Sequence, residues 1–266
     1  MSRWIESELK LLLPDAAAFE RVRDALGDAS VVSQKNHFFD RADGALRDAR
    51  IGVRLRVESE SADSGPAGTQ EDPLGARGIL RTLTLKSDGE VASGGALAHR
   101  IELECEIDAA SFDGALTRGL DLTPHLARFR AESSRADEGG APEALVRFLD
   151  RLESLCRGEI LVLRAAFSNR RALQRVSLPD PAGAIEVELA LDRTTLPGGR
   201  VDHEIEVELD APSPDEARRS ERALRRWLHE LGVDDVAPAP SKLARLHAVL
   251  DRAAAAAATP AAMPQR

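Results

Sequence analysis

Alternating polar and apolar residues predict β-strands along most of the chain. The first predicted strand spans residues 4–11, and its polar face carries Glu6, Glu8 and Lys10. Because side chains on one face of a strand recur every second residue, neighbours in this row are about 6.6 Å apart. The same alternation predicts further strands at residues 33–40, 51–58, 79–86, 99–107, 159–168, 171–178, 185–192 and 202–210. The pattern favours a protein built of antiparallel strands joined by turns.

Helical periodicity and capping residues predict helices between and after these strands. Gly27 is suited to end the first helix, whereas Ser213 and Pro214 are suited to begin a later one as N-cap and first helical residue. Residues 111–130 show no regular pattern and are expected to be irregular. Helices are expected at residues 15–26, 143–155, 213–231 and 241–252.

Segments rich in Pro, Gly, Ser and Ala interrupt or follow the regular elements. Residues 59–78 and 132–142 are predicted to be flexible surface loops, because they are polar and lack a core-forming pattern. Residues 253–266 are predicted to be a disordered tail rich in Ala and Pro. Residues 1–252 are therefore expected to form a single domain.

Composition narrows the class of protein. Hydrophobic residues make up 43% of the 266 residues and charged residues 30%, which is typical of a folded globular chain. The net charge of −9 argues against a general nucleic-acid-binding protein. No apolar run is long enough to cross a bilayer, so no membrane association is expected. With only Cys105 and Cys156, a disulfide framework is not expected, and we predict a cytoplasmic location.

Charges of one sign are gathered on single strands. Glu204, Glu206 and Glu208 share one strand face, and Arg54 and Arg56 share another. Like charges placed side by side are unfavourable, so such rows need opposing rows, bound ions or an ionic ligand. A sheet that curls with its charged faces inward would satisfy both signs in one channel. Because carboxylates bind Mg²⁺ or Mn²⁺ and arginine binds phosphate, this channel would suit a metal-chelated polyanion.

Several of these segments together resemble the CYTH domain, the family of triphosphate tunnel metalloenzymes. The resemblance rests on the E-x-E-x-K pattern of residues 6–10 and on residues 36–40, 52–56, 83–86, 203–208 and 240–243. It implies an α+β fold, namely an eight-stranded antiparallel β-barrel with a charged interior and flanking helices. It also implies a divalent cation, Mg²⁺ or Mn²⁺, and a triphosphate substrate.

The resemblance assigns roles to individual residues. It implies metal binding by Glu6, Glu8, Glu204 and Glu206. One further acid is expected on residues 185–192, where Glu186, Glu188 and Asp192 are alternatives and Glu188 is preferred. Phosphate oxygens are expected to bind Lys10, Arg54, Arg56, Lys86, Lys242 and Arg171, with Arg170 as the alternative to Arg171. The residues expected to act directly in catalysis are Glu6, Glu8, Lys10, Arg54, Arg56 and Lys86.

The activities implied by the family include hydrolysis of inorganic tripolyphosphate, thiamine triphosphate or nucleoside triphosphates, and adenylate cyclisation. Because aromatic residues make up only 3% of the chain and tyrosine is absent, no platform for stacking an organic ring is evident. Hydrolysis of the terminal phosphate of inorganic tripolyphosphate is therefore preferred over the other enzymes and over a non-catalytic polyphosphate-binding module. Glu102, Glu104 and Glu106 either line the channel or pair with neighbouring bases.

Overall fold

A closed barrel of eight antiparallel strands forms the centre of the molecule. The computed structural model describes residues 4–60, 79–87, 90–91, 96–134, 142–210 and 212–258. The strands are β1 (Ile5–Leu12), β2 (Ser30–Asp40), β3 (Ile51–Glu60), β4 (Leu80–Ser87), β5 (Glu90–Val91), β6 (Leu97–Glu106), β7 (Val162–Leu178), β8 (Ile185–Thr195), β9 (Val201–Leu209) and β10 (Ala237–Pro238). Around the barrel the order is β1-β9-β8-β7-β2-β3-β4-β6, and pairing of β6 with β1 closes it. The predicted fold class is thus confirmed.

Helices surround the barrel, and several of them begin at clear capping residues. They are α1 (Ala16–Leu26), α2 (Ala45–Asp48), α3 (Ala109–Arg118), α4 (Thr123–Ser134), α5 (Glu143–Cys156), α6 (Pro214–Glu230) and α7 (Lys242–Ala258). Asp15 caps α1, and Ser213 forms a capping box with Glu216 at the start of α6, so unpaired backbone N–H groups there are satisfied. Among the described helices, none has the length and apolar character needed to cross a lipid bilayer.

The apolar core lies outside the barrel, between the strands and the helices. One cluster packs β3, β4 and β6 against the helices from α2 to α5 and includes Leu55, Leu83 and Leu149. A second packs β1, β8 and β9 against α1 and α6, with Leu9 and Leu224 among its members. Since strand side chains alternate between faces, burying these apolar faces outward turns the charged faces into the barrel.

Helix α7 packs across one end of the barrel. Leu246 packs against Phe38 of β2 and Phe167 of β7, two aromatic residues at that end. At the start of β3, Gly52 leaves room for Leu243, whose Cδ2 would lie 3.0 Å from a Cβ at position 52. These contacts bring the polar start of α7 beside the interior of the barrel.

The segments at residues 159–168 and 171–178 were predicted as two strands, but from residue 162 onward they belong to the single strand β7. Residues 162–178 form one 17-residue strand, because the polar stretch at Ser168 and Asn169 continues the ladder with β2. The pairing register shifts between Phe38 and Phe39, opposite Arg164. Polar residues such as Ser and Asn between two apolar segments usually indicate a turn exposed to solvent. Here Asn169 instead lies within the strand and faces the charged interior of the barrel.

The expectation that residues 111–130 are irregular is wrong, because they form most of α3 and α4. Gly119, at φ 91°, ends α3, and Pro124 lies in the first turn of α4, where its missing N–H is tolerated. Phe112 and Phe129 bury one face of each helix.

Parts of the predicted loops and tail belong to regular elements. Residues 59–60 belong to β3, 132–134 to α4 and 253–258 to α7, whose alanines have the highest helix propensity. Of the remaining predicted loop and tail residues, Pro142 directly precedes α5. The others, residues 61–78, 135–141 and 259–266, lie outside the described residues.

Substitution of Leu152 tests the packing of α5 in the apolar core outside the barrel. Its side chain on α5 is 0% exposed, so Leu152→Ala is expected to lower the free energy of unfolding by about 3 kcal/mol, through lost burial and the cavity left behind. Val146 on the same helix is 40% exposed, and Val146→Ala is expected to change it by about 0.5 kcal/mol or less. Urea unfolding measures both. Equal effects would contradict the placement of α5.

Candidate active site

The inward faces of the strands line a cavity of about 550 Å³, called the tunnel below. Strand register places rows of opposite charge side by side. Glu6 of β1 lies opposite Arg100 of β6, and Lys10 lies opposite Glu206 of β9. The like-charged rows seen in the sequence are therefore neutralised by their neighbours across the sheet.

Three buried carboxylates on β8 and β9 form an acid cluster, defined as Asp192, Glu204 and Glu206. One ligand oxygen from each lies within 4.8 Å of the others. Asp192 and Glu204 are directly opposite each other in the ladder, which fixes their spacing. Three hard oxygen donors at this separation fit a divalent cation such as Mg²⁺ or Mn²⁺.

Three cationic side chains contact the acid cluster from the tunnel. The Lys242 ammonium lies 2.8 Å from Asp192, 2.5 Å from Glu204 and 2.6 Å from Glu206. The Arg171 guanidinium donates to Asp192 at 2.8 and 2.6 Å and also contacts Glu206. Lys10 donates to Glu206 at 2.8 Å. Each carboxylate is thus held by at least one ammonium or guanidinium group.

Burial and these ion pairs shift the carboxyl pKa values in opposite directions. Burial raises the pKa of Glu204 to about 7, against the lowering effect of Lys242. Burial would also raise the pKa of Asp192, but Arg171 and Lys242 outweigh it and lower that pKa to about 2. Lys10, Lys242 and Arg171 likewise overcome burial at Glu206 and hold its pKa well below the usual range. At neutral pH the cluster therefore keeps anionic Asp192 and Glu206.

A second charged group lies on β1, β4 and β6. Arg100 contacts both Glu6, at 2.7 Å, and Glu8, and Lys10 lies 3.0 Å from Glu8. Lys86 contacts Glu102 and lies 3.6 Å from Glu6. Burial, with the charge of Arg100, lowers the pKa of Lys86 to about 8. An anion bound here would stabilise the charged form of this lysine.

Arg54 and Arg56 project into the tunnel from β3. Arg54 donates to Thr84 Oγ1 at 3.0 Å, and Arg56 donates to Glu104 at 3.1 Å. Glu104 therefore pairs with neighbouring bases, whereas Glu102 both lines the tunnel and pairs with Lys86. Glu106, the third acid on β6, is exposed.

The structure places Glu188, the preferred metal ligand on β8, away from the acid cluster. Its side chain is exposed and does not line the tunnel, and its register partner is Arg175. Asp192 lies on the same strand face four residues later, is 0% exposed and belongs to the acid cluster. A two-residue period identifies the face of a strand but not how far along it the tunnel extends. The other predicted site residues all contact tunnel groups.

The alternation of side chains along a strand places Arg171 and its neighbour Arg170 on opposite faces of β7. Arg171 points into the tunnel, whereas Arg170 lies on the opposite face of β7, at the register position of Arg193.

Sequence reasoning missed Arg100 and Arg245. Arg100 lies two residues before Glu102 and therefore shares its strand face. This spacing was the feature of the sequence that could have identified Arg100 as a site residue. Arg245 follows Lys242 by three residues on α7, is 5% exposed and contacts Glu204, with Asp202 at 3.6 Å. Its helical spacing from Lys242 places both side chains on one face of α7, but only the packing of that helix shows that the face meets the acids.

A closed antiparallel barrel with a charged interior and a cluster of carboxylates that could hold a metal ion defines a tunnel-type fold. The chain belongs to the CYTH domain family, which matches residues 5–241. CYTH tunnel enzymes are metal-dependent, and members of the family are typically hydrolases or cyclases.

Solved structures show the same fold. HpAC1 from Hippeastrum, a candidate adenylyl cyclase with a dominant triphosphatase activity, is 26% identical; the match covers 92% of this chain and 96% of that one, with a TM-score of 0.62. A candidate adenylate cyclase from Bacillus halodurans is 19% identical over 91% and 98% of the two chains, with a TM-score of 0.51. PH1819 from Pyrococcus horikoshii is 16% identical over 92% and 99%, with a TM-score of 0.51. No curated protein matches the chain.

Proposed function

We propose that this protein is a divalent-cation-dependent triphosphatase that hydrolyses the terminal phosphate of inorganic tripolyphosphate. The observation that carries the proposal is that a cluster of three buried carboxylates adjoins a tunnel lined by inward-pointing bases, three of which contact the cluster. The carboxylates suit a hard cation, and the bases suit the phosphates that this cation would neutralise. The similarity to HpAC1, with its dominant triphosphatase activity, supports this choice.

The tunnel side chains divide into two roles. The phosphate oxygens would be bound by Lys10, Arg54, Arg56, Lys86, Arg100, Arg171 and Lys242, all of which line the tunnel. The cation would be held by Asp192, Glu204 and Glu206, with Glu6 and Glu8 as a second carboxylate pair on β1. A bound Mg²⁺ or Mn²⁺ supplies Lewis-acid polarisation of the phosphate chain and a water of lowered pKa.

The protein's own contribution is to hold the substrate and orient the attacking water. Bases on several strands fix the phosphate chain in one direction and offset its charge, which matters most as charge redistributes in the transition state.

The aromatic residues of the tunnel favour an inorganic substrate over an organic one. The rings of Phe38 and Phe167 stack on each other with centroids 5.5 Å apart. They are 9% and 4% exposed, so little ring surface is left to receive a base or thiazole ring. A substrate that consists only of phosphates needs no such surface.

Phosphate release from tripolyphosphate tests the proposed function. The purified protein is expected to release phosphate with Mg²⁺ or Mn²⁺. Chelation by EDTA is expected to abolish release, because without a cation the charge of the substrate is not neutralised and the attacking water is not activated. Thiamine triphosphate and ATP, assayed in parallel, are expected to be poorer substrates. Tight tripolyphosphate binding without turnover under either cation would instead indicate a binding module, and cyclic AMP formed from ATP would indicate a cyclase.

A cytoplasmic location stays a prediction. Cys105 and Cys156 are both free and buried, which suits a reducing compartment.

A further inference from the structure

Lys242 occupies the centre of the acid cluster. Its ammonium lies within 2.8 Å of a carboxylate oxygen of each of Asp192, Glu204 and Glu206. Those carboxylates are the three whose ligand oxygens lie within 4.8 Å of one another. An ammonium that contacts all three acids lies where a divalent cation bound by the same three oxygens would have to lie.

The charge around the cluster is already compensated. The three carboxylates are contacted by four cationic side chains, namely Lys10, Arg171, Lys242 and Arg245, of which Lys10 also pairs with Glu8 and Arg245 with Asp202. A divalent cation added to this arrangement would meet strong repulsion in a buried site, where charges are weakly screened. One of the four cationic groups must therefore move before the metal can bind.

Lys242 is the cationic group best placed to move. It is the first residue of α7, lines the tunnel and carries its charge on a flexible four-carbon stem. Arg171 is fixed by two hydrogen bonds to Asp192, Arg245 lies deeper, with its side chain 5% exposed, and the cluster contact of Lys10 is with Glu206, away from the centre that Lys242 occupies. A short swing of the Lys242 side chain would carry its ammonium from the acids to a phosphate in the same tunnel.

We infer that the Lys242 ammonium and the divalent cation exclude each other at the acid cluster. Lys242 thus sets the order of binding: the cation enters the cluster readily only when a polyphosphate draws the ammonium away. The exchange with a polyphosphate rests on the proposed function, whereas the competition between lysine and metal does not.

Metal binding without any phosphate compound tests the competition. Mn²⁺ binding to the full chain is measured by the loss of the free-ion electron paramagnetic resonance signal. Lys242→Met, which keeps the length of the side chain without its charge, is expected to bind Mn²⁺ about tenfold more tightly or better than the wild type. Arg56→Met removes one charge from the same tunnel away from the cluster and is expected to change the affinity by about twofold or less. Unchanged or weaker Mn²⁺ binding by folded Lys242→Met would overturn the inference.

A second measurement avoids dependence on the folding of Lys242→Met. The lysine side chains of the wild type are labelled with ¹⁵N, which leaves the ammonium and its three N–H donors unchanged, and the Lys242 signal is assigned by its absence from Lys242→Arg. Saturation with Mg²⁺ is expected to shift the Lys242 signal, because its ammonium leaves the three carboxylates. An unshifted signal at saturation would overturn the inference. Phosphate release is assayed separately, so an active enzyme that fails these tests contradicts the inference alone.

Discussion

Asp192→Asn is expected to lower the rate of tripolyphosphate hydrolysis by about 100-fold or more, since even the loss of a group that only supports a metal ligand costs roughly 10–100-fold. Asp192 is 0% exposed and accepts hydrogen bonds from Asn169, Arg171 and Lys242. Asparagine keeps the shape but removes the charge that a divalent cation requires. The measurements are phosphate release at saturating Mg²⁺ and Mn²⁺ binding.

Glu188→Gln is the matched control for Asp192→Asn. Both residues lie on the same face of β8, and both substitutions exchange a carboxylate for an amide. Because Glu188 is exposed, its substitution is expected to change the rate by about twofold or less and the stability by about 0.5 kcal/mol or less. An inactive Glu188→Gln together with an active Asp192→Asn would restore Glu188 as the metal-binding acid.

Arg171→Met is expected to lower the free energy of unfolding by about 3 kcal/mol, in addition to reducing activity. Its guanidinium bridges Asp192 and Glu206, and removing one partner of a buried ion pair leaves uncompensated charge. The loss of a phosphate ligand is expected to lower kcat/KM by about 100-fold. Urea unfolding and phosphate release measure the two effects.

Arg170→Met serves as the control for Arg171→Met, since it removes the same group one residue away and on the opposite face of β7. It is expected to lower the free energy of unfolding by about 1 kcal/mol or less and to leave hydrolysis close to that of the wild type. If Arg170→Met were the more damaging substitution, the register of β7 would be wrong.

The strands and the faces of the tunnel side chains could be predicted from local pattern. Glu6, Glu8 and Lys10 recur every second residue, and so do Arg54 and Arg56, and the structure turns all five into the tunnel. The helices α3 and α4 were not predicted, because Gly119 and Pro124 suggest turns where the structure places helix ends. Their formation depends on burying Phe112 and Phe129 against the barrel, a contact between distant parts of the chain.

By itself, the sequence determined which residues share a strand face and which sign of charge each face carries, because side-chain alternation is a local property of extended backbone. Only the tertiary structure decided which acids on a strand face are buried together, since Asp192 belongs to the acid cluster whereas Glu188 on the same face is exposed. It alone also placed Lys242 and Arg245 against the acid cluster, since that contact depends on how α7 packs across the end of the barrel. Packing and register join residues far apart in the chain, and no local periodicity encodes those distances.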